Sequence, residues 1–564
     1  MNAERKQLIR NAVPTLFVVP NPPPLVVPQR PIVERQSSAP DRSQKRHFLR
    51  KVYHTQAYID RCKEELRKLR SARKHECGPQ IKRMVKAKNR AILRLRKRLS
   101  NAETRPLDVS AVLDSVRDKL TPDMCALLES QLVFTKRKVY TNAFKQLAIA
   151  ISFKSTACYK FLSTALNLPP KRTVTRWLSH IKFQEGLDDN VFRLLKVRGE
   201  KMAPTDRIVT LLADEISLKQ LVLYEKSEDK VLGISRDAEG KYEFPCSALV
   251  FMVTGVNSRW KQALAYYFST SAVPGSVVME QFLQCILKVK ACGFTVVNDT
   301  SDQGGNFSSV VNLLGVTPER PNFIHDGQVI RLTPDPPHLI KSGRNALLGH
   351  NIVTPEGTAS WSHLDSFYEI EQSQRVRSAP RLTDNHLKPP AFYGKMVVRW
   401  ASQILSHSVA VGITTYVSMG LLPPEALATS KYCQKLNDIF DILNTSRIRD
   451  AAPFKSALTV ESHSTFQFIK DSIQWLKSLK ILDKCGKDVT SKFRWIDGLI
   501  TALNSVKELV FHLQQEYGIH FLLTRRLCQD PLENYFSIIR SKGGWNSKPS
   551  CLGFVQAYKI TQCT

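Results

Sequence analysis

Four acids in this 564-residue chain stand where carboxylates do phosphoryl chemistry. Asp214 closes the apolar run Arg207-Ile-Val-Thr-Leu-Leu-Ala213, and Asp299 and Asp302 flank the turn after a second run, Phe294-Thr-Val-Val297. Carboxylates at the ends of neighbouring strands can share two divalent cations about 4 Å apart, the arrangement used for in-line attack on a phosphodiester. Mg²⁺ suits such a site because it takes carboxylate oxygen and leaves water and substrate phosphate to complete its octahedron. A third acid is normally needed and can come from far along the chain. Glu533 is the candidate, on the first turn of the helix expected from Gln529-Asp-Pro-Leu-Glu-Asn534. Taken singly, each acid has an ordinary reading: a solvated strand end, or a helix N-terminal acid favoured by the dipole. Their joint occurrence in a basic chain points towards metal chemistry on a polyanion.

The elements that must position these acids follow from periodicity. Ser247 to Thr254 and Gln262 to Phe268 read as further strands, Leu221 to Tyr224 as a short one, Val277 to Cys292 as an amphipathic helix, and Phe307 to Leu314 as another helix. Strands first, then strand–helix alternation, predict a mixed sheet covered by helices. From about Gly343 to Ser505 the pattern turns helical, with helices expected over 392–406, 424–443, 465–479 and 493–516. The fold class is therefore α/β, or mixed α+β, in several domains.

Composition narrows the partners. Lys and Arg number 82 against 50 Asp and Glu, a net charge of +32. The first hundred residues alone hold 26 basic and 7 acidic residues. Such an excess favours nucleic acid. No run approaches the roughly 18 apolar residues of a membrane span, and Met1 to Arg10 is too polar for a secretory signal. The 12 cysteines contain no CxxC pair, which argues for reduced thiols rather than a disulfide framework or zinc site. The expected location is the nucleus, with no membrane partner.

Within the basic N-terminal part, Ile81, Val85, Lys88, Ile92, Leu95 and Leu99 alternate spacings of four and three, a heptad seam with one lysine at a core position. A shorter seam, Ile59, Cys62, Leu66 and Leu69, stops at Cys77-Gly78-Pro79. The two describe either a solvated basic hairpin or a dimerising coiled coil. Further on, short helices end in a basic, Thr-rich one opening at Arg172, Thr173, Thr175 and Arg176 after Pro169-Pro170. That pattern fits a helix-turn-helix with its last helix in a major groove, or a plain helical subdomain.

Four ordered segments resemble the P-element transposase family, which includes the THAP-domain transposase-like proteins of animals. They are Leu211-Leu-Ala-Asp-Glu-Ile-Ser-Leu218, Asp302-Gln-Gly-Gly-Asn306, Asp335-Pro-Pro-His-Leu-Ile-Lys341, and Gln529-Asp-Pro-Leu-Glu-Asn-Tyr-Phe536 followed by Ile539-Arg-Ser-Lys-Gly-Gly544. The resemblance implies an RNase H-like catalytic domain interrupted by an α-helical GTP-binding insertion, acting on DNA. By motif it implies Asp214, Asp302 and Glu533 as the metal-binding triad for Mg²⁺ or Mn²⁺, with Asp299 the alternative second acid. It also implies a guanine site at Phe440, Asp441 and Asn444: Phe440 can stack on a purine, and a carboxylate accepts hydrogen bonds from guanine N1 and N2. Ile439, Phe440 and Leu443 equally have ordinary helix-core spacing. Asp530 resembles the family acid near the nucleotide and its metal, and Lys395 is a candidate for the phosphates. No Gly-x-x-x-x-Gly-Lys-Ser/Thr loop is present, which argues against a P-loop NTPase; the resemblance implies that GTP acts as an assembly cofactor rather than as fuel.

Asn11-Ala-Val-Pro-Thr-Leu-Phe17 looks like the end of a THAP zinc finger whose three Cys and one His would precede Met1. The expected organisation is that remnant over 1–18, a Pro-rich linker over 19–48, basic coiled-coil helices over 49–104 and a helix-turn-helix-like DNA-binding region over 105–195. The RNase H-like domain follows over 200–342 and 506–564, with the GTP-binding insertion at 343–505. The expected function is DNA strand cleavage and transfer by a homo-oligomer. The alternative is a catalytically inactive DNA-binding or oligomerising regulator derived from such an enzyme.

Overall fold

The computed structural model describes residues 79–103, 117–132, 140–179 and 183–562, apart from 226–228, 237–241, 271–272, 303 and 543, together with isolated positions at 57–68 and 114. The chain forms two compact units, residues 1–118 and 119–564. In the first, the seam lies on one helix, Pro79–Glu103, where Ile92 is buried and Val85 and Leu95 pack against it. Lys88, the lysine of the seam, pairs with Glu65. The expected seam from Ile59 to Leu69, the 1–18 remnant and the 19–48 linker lie outside the described residues.

The second unit is built on a six-stranded sheet. Its strands are β1 (Ile208–Ser217), β2 (Ser247–Gly255), β3 (Lys261–Ser269), β4 (Thr295–Ser301), β5 (Asn322–His325) and β6 (Gln328–Leu332), in the order β3-β2-β1-β4-β6-β5. β1, β2 and β3 are antiparallel neighbours, and β4 lies parallel to both β1 and β6. The centre is buried on both faces, which is why β2 reads as an unbroken apolar run, Ala-Leu-Val-Phe-Met-Val, rather than an alternating one. The β5–β6 hairpin has no strong sequence signal. Asp326 at φ 47° and Gly327 at φ 73° turn it, the left-handed pair that a tight hairpin needs.

Helices cover this sheet. α1 (Asp189–Glu200) is capped by Asp188, which accepts from Asn190 N at 2.7 Å. It buries Val191, Phe192 and Leu195 in the sheet's core, across the boundary expected between 195 and 200. α2 (Gly275–Ala291) buries Val278, Phe282, Cys285, Ile286 and Val289, the apolar stripe of an amphipathic helix. α3 (Gly305–Leu313) follows β4.

After β6 the chain enters the insertion. α4 (Pro336–Gly349), α5 (Ala426–Leu443) and α6 (Trp495–Tyr517) share one core with the helices between them. α6 ends at Gly518 in the left-handed conformation, φ 64°. The insertion is not wholly helical. β7 (Asn351–Thr354), β8 (Gly357–Ala359) and β9 (Lys480–Leu482) form a three-stranded sheet whose strands are too short for periodicity to reveal. The chain then returns to the large sheet as α7 (Asp530–Lys542) and α8 (Cys551–Gln562), which bury Leu532, Phe536, Phe554 and Tyr558 against it.

Ahead of the sheet lie the helices Asn142–Lys154, Thr156–Ala165 and Lys171–Ser179. Phe144, Ala148, Tyr159, Leu168 and Val174 form their core, and the Tyr159 hydroxyl donates to Pro169 O at 2.6 Å. Lys171, Arg172 and Thr175 stay exposed on the last helix.

Candidate active site

Asp214 lies near the end of β1, and register decides which acid of β4 can join it. Leu211 pairs with Asp299, Leu212 with Thr300 and Ala213 with Ser301. Directly paired residues share a face, and successive residues along a strand change face. Asp302, one step past Ser301, therefore falls on Asp214's face, and Asp299 falls on the other. Asp299 is 3 % exposed, and its Oδ1 has no hydrogen-bond partner. Burial pushes its carboxyl up to about 8, against weaker opposing donation from Ser301 and Thr300. It is a buried acid of the sheet, on the face away from Asp214.

Asp302 is held locally. Gly304 N donates to its Oδ1 at 2.9 Å, and a Cβ on Gly304 would lie 2.9 Å from that oxygen. A larger residue at 304 would therefore press on the Asp302 carboxylate and shift it.

Glu533 arrives from the far side of the insertion on the first turn of α7. Gln529, fully buried, fixes the approach. Its Nε2 donates to Ala213 O at 2.8 Å, beside Asp214, and its backbone N donates to Asp335 Oδ1 at 2.8 Å. Asp335 caps α4 by accepting from His338 N at 3.2 Å, with prolines in the first turn. This Asp-Pro-Pro start places His338 inside the cluster: its Nδ1 lies 3.0 Å from Asp335 Oδ2, and its Nε2 lies 3.8 Å from Glu533 Oε1. One turn on, Lys341 feels Glu533, Asp335, Asp302 and Asp214 together.

The electrostatics report the same gathering. Burial pushes the Asp214 carboxyl up to about 7; the Glu215 N–H, donating at 2.7 Å, opposes this, and Asp302 and Glu533 add repulsion. Burial also raises Glu533, with Asp335 and Asp530 adding to it and His338 and Lys341 opposing. Burial works against charge on His338, but its carboxylate neighbours outweigh it and hold the imidazolium above the usual value.

Beneath the cluster is a buried polar lattice. Asn298 Nδ2 donates to Thr210 Oγ1 at 2.9 Å and to Thr300 Oγ1 at 3.1 Å, and its Oδ1 accepts from Thr333 at 2.7 Å. Thr333 in turn bonds Ser505 of α6 at 2.7 Å. Nothing in the local sequence marks Asn298; only pairing across strands and insertion gives it partners. His338 and Lys341 belong to the Asp335–Lys341 motif, but the sequence pattern starts the helical region only at about Gly343, whereas the helix that carries them begins at Pro336 with Asp335 as its cap.

The donor set suits a hard divalent cation, since all three candidate ligands are carboxylates. As placed, each turns to a local partner, Asp214 to Glu215 N, Asp302 to Gly304 N and Glu533 towards His338. Among the described residues no three His, Cys, Asp or Glu side chains close around an ion.

The residues expected at a nucleotide lie in the insertion and at the start of α7. Phe440 is partly buried and packs against the insertion core, in line with its helix-core spacing. Asp441 Oδ2 accepts from Asn437 Nδ2 at 3.1 Å and lies 3.5 Å from Lys455 Nζ. Asn444 is the C-cap of α5. Lys395 is exposed on the short helix Ala391–Met396, its carbonyl accepting from Asn345 Nδ2 at 3.1 Å. Asp530 pairs with Arg525 at 3.1 Å. Thr445 and Arg525 join these regions, Arg525 N donating to Thr445 O at 3.0 Å. Among the described residues no direct hydrogen bond or ion pair links Lys395 or Asp530 to Phe440, Asp441 or Asn444.

Four family models match the chain in order: Transposable element P transposase-like, HTH domain (residues 99–177); TNP-like, RNase H N-terminal domain (183–315); TNP-like, GTP-binding insertion domain (337–457); and TNP-like, RNase H C-terminal domain (526–559). This chain belongs to the P-element transposase family. It is 25 % identical over 395 residues to the Transposable element P transposase of Drosophila melanogaster, covering 69 % of this chain and 49 % of that protein. It is 25 % identical over 445 residues to the DNA transposase THAP9 of Homo sapiens, covering 74 % and 48 %. The chain thus spans about half the length of these curated relatives. A solved chain of the Drosophila P element transposase strand transfer complex shares the fold, with a TM-score of 0.69 and 22 % identity, over 81 % of this chain and 98 % of that one. The RNase H-like fold with a GTP-binding insertion domain is therefore the architecture of this member of the family.

Proposed function

We propose that this chain performs metal-dependent DNA strand cleavage and transfer, with GTP as an assembly cofactor. The reading is supported by the electrostatic influence that Asp302 and Glu533, from distant segments, exert on Asp214 and that all three exert on Lys341, with His338 Nε2 3.8 Å from Glu533 Oε1. These three carboxylates would hold Mg²⁺ or Mn²⁺. Such ions, when bound, supply Lewis acidity to the attacking water or 3′-hydroxyl and to the leaving oxygen. Gln529 and Asp335 hold the start of α7 against β1 and α4, so Glu533 is delivered to the strand ends. His338 restrains Glu533 and offsets part of the crowded negative charge.

DNA is held by basic surfaces with salt-sensitive affinity, among them Lys171, Arg172 and Arg176 of the last N-terminal helix. In the insertion, Phe440 stacks on guanine while Asp441 and Asn444 read its edge, and Lys395 and Asp530 serve the phosphates and their metal. The seam of residues 81–99 joins copies into a homo-oligomer, and the site of action is the nucleus. No described helix is long and apolar enough to cross a membrane.

The test is nicking of DNA carrying matching terminal repeats, with and without Mg²⁺ or Mn²⁺. Nicking should need the metal and vanish in Asp214→Asn with DNA binding retained. Nicking that survives in this variant sinks the assignment.

A further inference from the structure

The chain has seven tryptophans, and six of them are buried or half-buried. Trp545, between α7 and α8, is 76 % exposed. The backbone there is turned by Gly544 at φ 76° and by Trp545 itself at φ 62°. A left-handed backbone suits glycine but is an outlier for a bulky side chain. Such a conformation persists only where the surroundings impose it. Here Gly544 N donates to Ser541 O at 3.3 Å and Asn546 N donates to Arg540 O at 3.2 Å, so both neighbours of Trp545 are tied to the end of α7. Lys548 N donates to Asn546 Oδ1 at 3.2 Å and fixes the next turn. The indole is held out into solvent on a fixed backbone, and the fold gains no core from it.

The surroundings are basic. From Asn534 to Thr564 the chain has no Asp or Glu, whereas Arg540, Lys542, Lys548 and Lys559 carry positive charge. Lys542 is engaged, its Nζ donating to Phe153 O and lying 3.7 Å from the centre of the Phe153 ring. Lys548 is exposed. The loop also runs against the chain just past β1, where Lys219 N donates to Pro549 O at 3.0 Å and the Lys219 side chain is exposed. Beside Lys219, Gln220 Nε2 donates to Phe244 O at 3.1 Å, and the Phe244 ring is partly exposed. Aromatic faces and positive charge therefore gather near the end of the strand that carries Asp214.

An aromatic face can stack on any base, and lysines meet the phosphates; together they hold unpaired nucleic acid. Bases inside a duplex offer no free face, so the stacking selects unpaired ones. Chain length bounds the reach. Lys219 lies at most about 18 Å from Asp214 and Trp545 at most about 14 Å from Pro549, together about ten nucleotides of one strand.

We propose that Trp545 stacks on an unpaired base of DNA within about ten nucleotides of the bond that is cut. The inference rests on the reading of the carboxylate cluster as a DNA-cutting site.

The full chain is titrated, without metal, with a fully paired labelled duplex and with the same duplex bearing a single-stranded tail. Trp545→Ala should bind the tailed duplex about tenfold more weakly and the paired duplex as the wild type does. Trp545→Phe, which keeps a ring, should retain most of the tailed affinity. Wild-type affinity of Trp545→Ala for the tailed duplex overturns the proposal. So does an equal loss on both duplexes, which would make Trp545 an ordinary duplex contact. Trp545→Gly fits the left-handed backbone, so it should lose the tailed affinity yet melt no lower than the wild type; a lower Tm would make Trp545 a structural residue and also overturn the proposal. Asp214→Asn should bind both duplexes normally. Absence of metal-dependent nicking with the tail effect intact therefore strikes the cutting assignment alone, and nicking with no tail effect strikes this inference alone.

Discussion

At the scale of single residues, the sheet's two-residue period separates acids that composition treats alike. Asp299 and Asp302 are three apart, an odd number, so they point to opposite faces of β4. Asp302→Asn should therefore abolish metal-dependent nicking, whereas Asp299→Asn should retain it; equal loss in both variants would make Asp299 part of the site. Asp299 also predicts a pH dependence. Its folded value is raised from 3.8 to about 8, so the folded state keeps a proton that the unfolded chain loses. Stability then falls as pH rises between these values. Asp299→Asn removes that penalty, and its gain in Tm over the parent should grow from pH 5 to pH 8. A gain that is flat with pH would mean that Asp299 is ionised in the fold.

At the scale of elements, α7 carries Glu533, and nothing local in sequence ties it to Asp214. Gln529 does so through Ala213 O and Asp335. Gln529→Leu should fold, bind DNA and nick about 10–100-fold more slowly, the usual cost of losing a group that orients a metal ligand. It should also need more Mg²⁺ for half-maximal rate, a readout that a purely structural defect would not move. Elsewhere in the insertion, the fully buried Glu371 is satisfied by Ser378 N at 2.9 Å, Ala379 N at 3.0 Å and the Tyr416 hydroxyl at 2.7 Å. Burial alone would raise its carboxyl, but these donors outweigh burial and hold it below 4.5. Its stabilisation is thus full above that value and lost as pH falls through the lower folded one. Glu371→Gln should cost about 1–3 kcal/mol at neutral pH, a gap in thermal unfolding that closes in acid.

At the scale of the whole molecule, the insertion core takes in Ile208, Val256 and Val297 from the large sheet, whereas the rest of the sheet packs with the returning helices in a second core. The proposed nucleotide site predicts GTP affinity well above ATP affinity by calorimetry, lost in Asp441→Ala. Equal binding of the two nucleotides would remove GTP from the mechanism. Charge acts at the same scale: with a net charge of +32, DNA affinity should fall steeply with salt whatever the DNA sequence.

The sequence by itself determined the broad plan. Long apolar runs with a change of period mark a sheet followed by helices. The basic excess at the front marks a polyanion binder, and four ordered motifs mark the family. These signals are local or cumulative, so they survive without a fold. Tertiary structure alone decided that Asp302 and not Asp299 shares a face with Asp214. That outcome depends on pairing between strands some ninety residues apart and on an irregularity in register at Val209–Thr210, neither of which a single strand encodes. It likewise decided that His338, Lys341, Asn298 and Gln529 converge, and that the loop carrying Trp545 lies against the chain just past β1. Convergence is a property of chain closure over hundreds of residues, and no window of sequence contains it.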